Sequence, residues 1–182
     1  MVLGNVLAFH QRSSPPFETL LVPTDGSALS IAAALKAVAL AKRLDARVIV
    51  FTSIPAFQYP VYVGGIPFEY PSEADYERQC RAIAERYLSL VVQSAQALGV
   101  EASTRIEFNG GPAQAIVDLA KREHCSMIVM GSHGRSGLSR AFLGSVALKT
   151  LTLSEVPVMV DRPNQEAIAF AENLLGTHAV ES

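Results

Sequence analysis

Short apolar runs recur along this chain, and each is followed by a stretch with helical spacing, a pattern that few folds can satisfy. The runs are Thr19-Leu20-Leu21-Val22, Val48-Ile49-Val50-Phe51-Thr52, Met127-Ile128-Val129-Met130 and Val156 to Val160. Between them lie an Ala-rich helix from Ser27 to about Leu44, a longer one from Ser72 to Leu98 with Tyr76, Cys80, Ile83, Tyr87, Val91 and Leu98 on one apolar face, one opened by Pro112 and one running from Gly144 to about Leu153. A further strand, Ala102 to Phe108, sets Ala102, Thr104, Ile106 and Phe108 against Ser103, Arg105 and Glu107. Continuous apolar strands are covered on both faces, whereas an alternating one is half exposed. The order β-α-β-α-β-α-β-α-β with right-handed crossovers predicts a doubly wound, five-stranded parallel sheet with helices on both faces, of flavodoxin/Rossmann type. Placing the alternating third strand at an edge gives the order 3-2-1-4-5. Strands one and four then lie side by side, and a crevice opens at their C-terminal ends.

Within 182 residues this amounts to one domain, expected over 18–162, with a poorly ordered leader (1–17) and a C-terminal tail (163–182). The tail carries Ile168, Phe170, Leu174 and Leu175 in a weak helical pattern, read either as an added helix or as loose chain. Pro and aromatic residues alternate through 54–72, which is read either as a surface excursion or as a flap over a ligand or partner. A net charge of −2 argues against a general nucleic-acid binder. No apolar run reaches the ~18 residues of a membrane span, and Met1 to Phe9 lacks a basic n-region, so a cytoplasmic protein is expected. Cys80 and Cys125 read as small buried hydrophobes. His10, His124 and His178 have no metal-ligand spacing.

The strongest chemical signal follows strand four. Met130-Gly131-Ser132-His133-Gly134-Arg135-Ser136-Gly137 is followed by Gly144-Ser145 at the start of a helix. Glycines let main-chain N–H groups approach an anion, and the helix start adds unpaired donors and a positive dipole end. No Asp or Glu occurs between Glu123 and Glu155, a window that holds Arg135, Arg140 and Lys149. Asp25, after strand one, would face the same crevice. The combination predicts nucleotide binding, its phosphates held by main-chain amides.

These residues resemble the universal stress protein family, in its ATP-binding branch. The family pattern G-x2-G-x9-G-S/T is met by Gly131, Gly134, Gly144 and Ser145. Val22-Pro23-Thr24-Asp25-Gly26-Ser27 and Val156-Pro157-Val158-Met159-Val160 match the family's first and last strands. The resemblance implies an ATP-binding regulatory or stress-response protein, with AMP or ADP as related ligands and Mg²⁺ arriving with the nucleotide. It places Pro23, Thr24 and Asp25 on the base and ribose side, and Ser53 against adenine through its backbone. Met130, Gly131, His133, Gly134 and Arg135 then fall by the ribose and phosphates, and Gly144, Ser145 and Val146 at the phosphate end. It also implies a homodimer through the last strand (Val156, Val158, Val160).

Bland readings stand beside these. Asp25 could simply start the helix that follows it, Gly137 could only relax the loop, and His133 reads as a solvent-side residue. Arg135 and Arg140 could be solvated surface. With no GxxxxGK[ST] or GxSxG motif, slow ATP hydrolysis is the most that Asp25 and a metal could support. The competing function is a nucleotide-independent dimeric scaffold acting through protein contacts. A receiver-like switch lacks clustered acids, since Asn109 follows strand three. A flavin carrier would need its phosphate loop where Pro23-Thr24-Asp25 stands.

Overall fold

The computed structural model describes residues 17–58, 72–134 and 143–180. Five strands form one parallel sheet: β1 (Thr19–Pro23), β2 (Arg47–Pro55), β3 (Ala102–Asn109), β4 (Met127–Gly131) and β5 (Val158–Asp161). Their order is β3-β2-β1-β4-β5, as the pattern predicted, so the flavodoxin-like α/β architecture stands. The helices are α1 (Ala28–Leu44), α2 (Glu73–Ala97), α3 (Pro112–Arg122), α4 (Ser145–Leu153) and α5 (Gln165–Val180).

Side chains alternate across the sheet, as a period of two requires. Leu20, Val22, Val48, Val50 and Val129 point to the side covered by α1 and α2, while Leu21, Ile49, Phe51, Ile128 and Met130 point to the side of α3 and α4. β2 is longer than predicted. Pairing with β3 keeps it extended through Ser53↔Glu107 and Pro55↔Asn109, so Ile54 and Pro55 belong to the strand rather than to a loop. The rest of the proline- and aromatic-rich stretch, 59–71, lies outside the described residues, as does the leader through residue 16.

β3 pairs only with β2 and is an edge strand, as its alternation indicated. Ile106 and Phe108 pack on the core, while the opposite face carries charge. Arg105 Nε donates to Glu123 Oε1 at 2.7 Å, and Arg122 pairs with Glu107. The Arg105 guanidinium holds the Glu123 carboxyl below its usual range. Charged side chains of this kind keep an edge from pairing with other chains.

Two sequence expectations, for α2 and for β5, need correcting, and of the two readings of the tail the helix holds. The apolar face of α2 is Ala84, Tyr87, Leu88, Val91 and Ala95. Ile83 and Leu98, expected inward, are 56% and 42% exposed. β5 starts at Val158 rather than Val156, because both backbone groups of Val156 are taken by the Ser154 hydroxyl, which donates to its carbonyl at 2.8 Å and accepts from its N–H at 3.2 Å. The tail is a helix: α5 lies along α1 and also touches α2, with Ala171 fully buried between them. Its expected anchor Phe170 is 59% exposed. No helix among the described residues is long and apolar enough to cross a membrane.

Candidate functional site

Strand order reverses between β1 and β4, which pair through Leu20↔Met127 and Leu21↔Ile128. Chains leaving two neighbouring strands toward opposite faces leave a gap between them. The gap is a cleft of about 500 Å³. Pro23, Thr24 and Asp25 line it from the β1 side, and Ser53 from the end of β2. Met130, Gly131, His133 and Gly134 line it from β4, and Gly144, Ser145 and Val146 from the start of α4. Arg135, Gly137 and Arg140 lie outside the described residues.

The turn after β1 is held by its own hydroxyls. Thr24 N–H donates to the Phe51 carbonyl at 2.8 Å, which carries the β1–β2 pairing one residue past the strand. Asp25 Oδ1 accepts from Ser27 N–H at 3.0 Å and from the hydroxyls of Ser27 and Ser30, both at 2.7 Å. Ser27 is the N-cap of α1, as predicted. Asp25 therefore does start the helix, and it also lines the cleft. The bland reading holds, with one carboxylate oxygen serving the turn.

The motif glycines are needed for packing within the protein. Of the described glycines only Gly26 and Gly99 have positive φ, so Gly131, Gly134 and Gly144 are not glycine for conformational reasons. A Cβ on Gly131 would sit 2.9 Å from Leu29 Cδ2, and one on Gly144 3.0 Å from the Ser132 carbonyl. A Cβ on Gly134 would overlap Asp25 Oδ2 and lie 3.0 Å from Asp25 Cγ. The space left by the missing side chains is occupied by the protein's own atoms. That draws the β1 and β4 turns together around the cleft. Gly144 N–H donates to the Ser132 carbonyl at 2.8 Å, tying the start of α4 to the end of β4.

What remains for an anion is the first turn of α4. Its N-cap is Gly144, which makes no side-chain capping bond, and the turn holds no acidic residue. Ser145, Val146 and Ala147 all border the cleft. An uncapped helix start presents donors and positive potential together. His133 departs from expectation. It is buried, not solvent-side, and Gly144 at the start of α4 packs close to it, bonded back to the Ser132 carbonyl. Its Nδ1 lies 3.1 Å from Ser132 Oγ.

Sequence reasoning missed several lining residues. Ile83 and Cys80 of α2 face the cleft, and Cys80 is half-buried rather than buried. Their helical spacing was visible but was assigned to the core. Tyr87 packs its ring against Gly26, where an added Cβ would sit 2.6 Å from Cδ1, and its hydroxyl lies 2.7 Å from Thr52 Oγ1. Nothing in the sequence links these positions. Pro112 and Ile116 of α3 complete the wall. Both cysteines are free thiols, and burial pushes Cys125 up to about 11. Among the described residues no group of three His, Cys, Asp or Glu could hold a metal ion.

Residues 16–162 match the model of the universal stress protein family. Universal stress protein MJ0531 of Methanocaldococcus jannaschii is 34% identical over 82% of this chain and 85% of its own length. Universal stress protein YxiE of Bacillus subtilis is 34% identical over 80% of this chain and 99% of its own. Among solved structures, that of hypothetical protein MJ0577 superposes with a TM-score of 0.65 at 25% identity, covering 82% of this chain and 99% of that one. A universal stress protein from Archaeoglobus fulgidus, solved in complex with dAMP, shares the fold with a TM-score of 0.57 at 21% identity, over 80% of this chain and 98% of that one. With the sheet order, the cleft and the glycine spacing in agreement, the chain belongs to the universal stress protein family.

Proposed function

We propose that this protein binds an adenine nucleotide in the β1/β4 cleft, as a member of the family's ATP-binding branch, and acts by reporting its presence rather than by turning it over. The observation that carries this reading is the uncapped first turn of α4 opening into a cleft large enough for a nucleotide. Phosphates sit on the amides of Ser145 and Val146, with Ser145 Oγ as a neutral donor and Arg135 beyond Gly134 as a candidate cation. The ribose hydroxyls meet Asp25 and the Gly131–Gly134 turn. The base lies toward Ser53, between the apolar walls supplied by Met130 and Ile83. One helix-end contact contributes ~0.3–2 kcal/mol, so several must act together to reach micromolar affinity near −8 kcal/mol. Structures of related proteins solved with cAMP and with dAMP are consistent with this assignment. Mg²⁺ would arrive bound to the phosphates of ATP or ADP, held largely by them and water.

The same reading includes a homodimer. The side chains of Val156, Val158 and Val160 are half-buried against this chain's own core. The strand therefore offers a partner its main-chain edge, flanked by the exposed Met159, Leu148 and Leu151. Those three exposed apolar residues are what favour the competing scaffold, which would use the same face without nucleotide. Calorimetric titration with ATP, ADP, AMP and FMN, each with and without Mg²⁺, separates the two. Micromolar binding of adenylates with FMN excluded is expected. A dimeric, folded protein that takes none of the four would establish the scaffold instead.

A further inference from the structure

Asp25 stands at the end of a directed chain of hydroxyls. Gly26 N–H donates to Thr24 Oγ1 at 3.2 Å, Thr24 Oγ1 lies 2.8 Å from Ser30 Oγ, and Ser30 Oγ donates to Asp25 Oδ1 at 2.7 Å. A carboxylate only accepts, so Ser30 donates in its contact with Asp25, and with its single proton so placed Thr24 donates to Ser30; the Ser27 carbonyl, 2.9 Å from Ser30 Oγ, is the competing acceptor for that proton. Thr24 and Ser30 are buried, at 6% and 4% exposure, which shelters these bonds from competing water. Hydrogen bonds arranged head to tail polarise one another, and one ending on a charge is stronger than a neutral pair. The other carboxylate oxygen, Oδ2, lies against the bare Cα of Gly134 on the far side of the cleft.

We infer that Ser30, buried in the cleft wall beside Asp25, is a positioning residue. Its hydroxyl, held by Thr24, fixes the Asp25 carboxylate against Gly134 as an oriented acceptor for the ribose hydroxyls. This deepens the nucleotide reading above and rests on it. Ser30 is the second turn-facing serine of the run Asp25-Gly26-Ser27-Ala28-Leu29-Ser30. By sequence alone it is an ordinary buried helix residue. Its Oγ joins the turn after β1 to α1, and Asp25 joins that turn to the turn after β4. A displacement of Ser30 is therefore felt at Gly134. Gly134 is glycine because the carboxylate occupies the position of its side chain.

Two thermodynamic cycles test this. In the ligand-free protein, urea unfolding of Ser30→Ala, Asp25→Ala and the double variant should give sub-additive losses, since both changes break one bond. Gly134→Ala should destabilise the wild-type protein and cost little in the Asp25→Ala background. Calorimetry with AMP and with 2′,3′-dideoxy-AMP supplies the functional arm. The wild-type protein should prefer AMP, and Ser30→Ala should lose on the order of tenfold in AMP affinity while leaving the dideoxy ligand unchanged. Ser30→Cys, which keeps the volume but donates weakly, should behave as Ser30→Ala does. Additive energies in the ligand-free cycles, or an unchanged AMP preference in Ser30→Ala, would overturn the role given to Ser30. A wild-type protein that binds neither ligand would overturn the nucleotide reading and Ser30's part in it, while coupled unfolding energies would still place the carboxylate on Gly134.

Discussion

Replacing Ser145 with Asp should move folding stability and nucleotide affinity in opposite directions. Ser145 is the first residue of the nine-residue helix α4, it is exposed, and its turn has neither a capping side chain nor an acid. A carboxylate placed there meets the positive end of the helix and should stabilise the fold by ~0.3–1 kcal/mol. The same charge would stand ~5 Å from a phosphate seated on that turn. With an effective dielectric constant of ~20, Coulomb's law gives a repulsion of ~3 kcal/mol, equivalent to roughly a hundredfold in affinity or more. Urea midpoints and AMP titrations on the same preparations read both quantities. Ser145→Ala serves as control, losing one neutral donor and little else. The reasoning fails if Ser145→Asp binds AMP within about twofold of wild type. It also fails if the variant is destabilised in step with its loss of binding, because the two effects would then share a structural cause.

Gly26→Ala should cost ~2–4 kcal/mol in urea unfolding, since φ is +79° and the new Cβ would meet the Tyr87 ring at 2.6 Å; a loss under ~1 kcal/mol would show that the turn relaxes freely. Cys125 is buried with its thiol pushed up to about 11, so at pH 8 a thiol reagent should label Cys80 and spare Cys125 until the protein unfolds. Because the folded pKa of Cys125 is raised, its contribution to stability is fully present below the ordinary thiol value of 9.0 and is lost as pH rises toward 11. Cys125→Ala should remove that part of the alkaline decline, measured as the pH dependence of the urea midpoint. Ala171→Asp should cost ~3 kcal/mol by burying an unpaired charge between α5 and α1, and a neutral result would show that α5 is not part of the cooperative unit.

The order and direction of the strands could be read from the sequence because period and composition act locally. Val48 to Thr52 is apolar without interruption because it is covered twice, and Ala102 to Phe108 alternates because it is covered once. The phase of α2 was misread for an identifiable reason. Tyr76, Cys80, Ile83 and Tyr87 do share a stripe, but Ile83 is exposed at the cleft, while Cys80 and Tyr87 border the cleft as well as the core. A periodicity reports a face without reporting what that face meets. The helix in the tail was half visible, because its buried contact is Ala171, a residue too small to mark a pattern, while the conspicuous Phe170 points outward.

The site was legible as a list of residues and less so as a mechanism. Asp25 and the Gly131–Gly134 turn fall on one cleft because topology brings the ends of β1 and β4 together, whereas Ser53 was placed there by the family resemblance. The reason for the glycines was not legible. Leu29, Asp25 and the Ser132 carbonyl take up the missing side chains, and two of these three lie far away in sequence from the glycine they meet. His133 stands among Gly and Ser, a context that reads as loop, and only the bond from Gly144 back to Ser132 reveals that it is enclosed.

Five consecutive positions of α1, Ser30 to Ala34, are all shielded from solvent, so this rod has no wet side over that turn and a half. That is why it is spelled with alanine: a neighbour above and a neighbour below leave little room for anything longer. The upper neighbour is α5, which begins after residue 162, where the family resemblance stops. A fragment trimmed to the shared domain would thus bare a strip of methyl groups along its back. The chain beyond the matched domain is part of the packing of α1, with Ala171 buried against it.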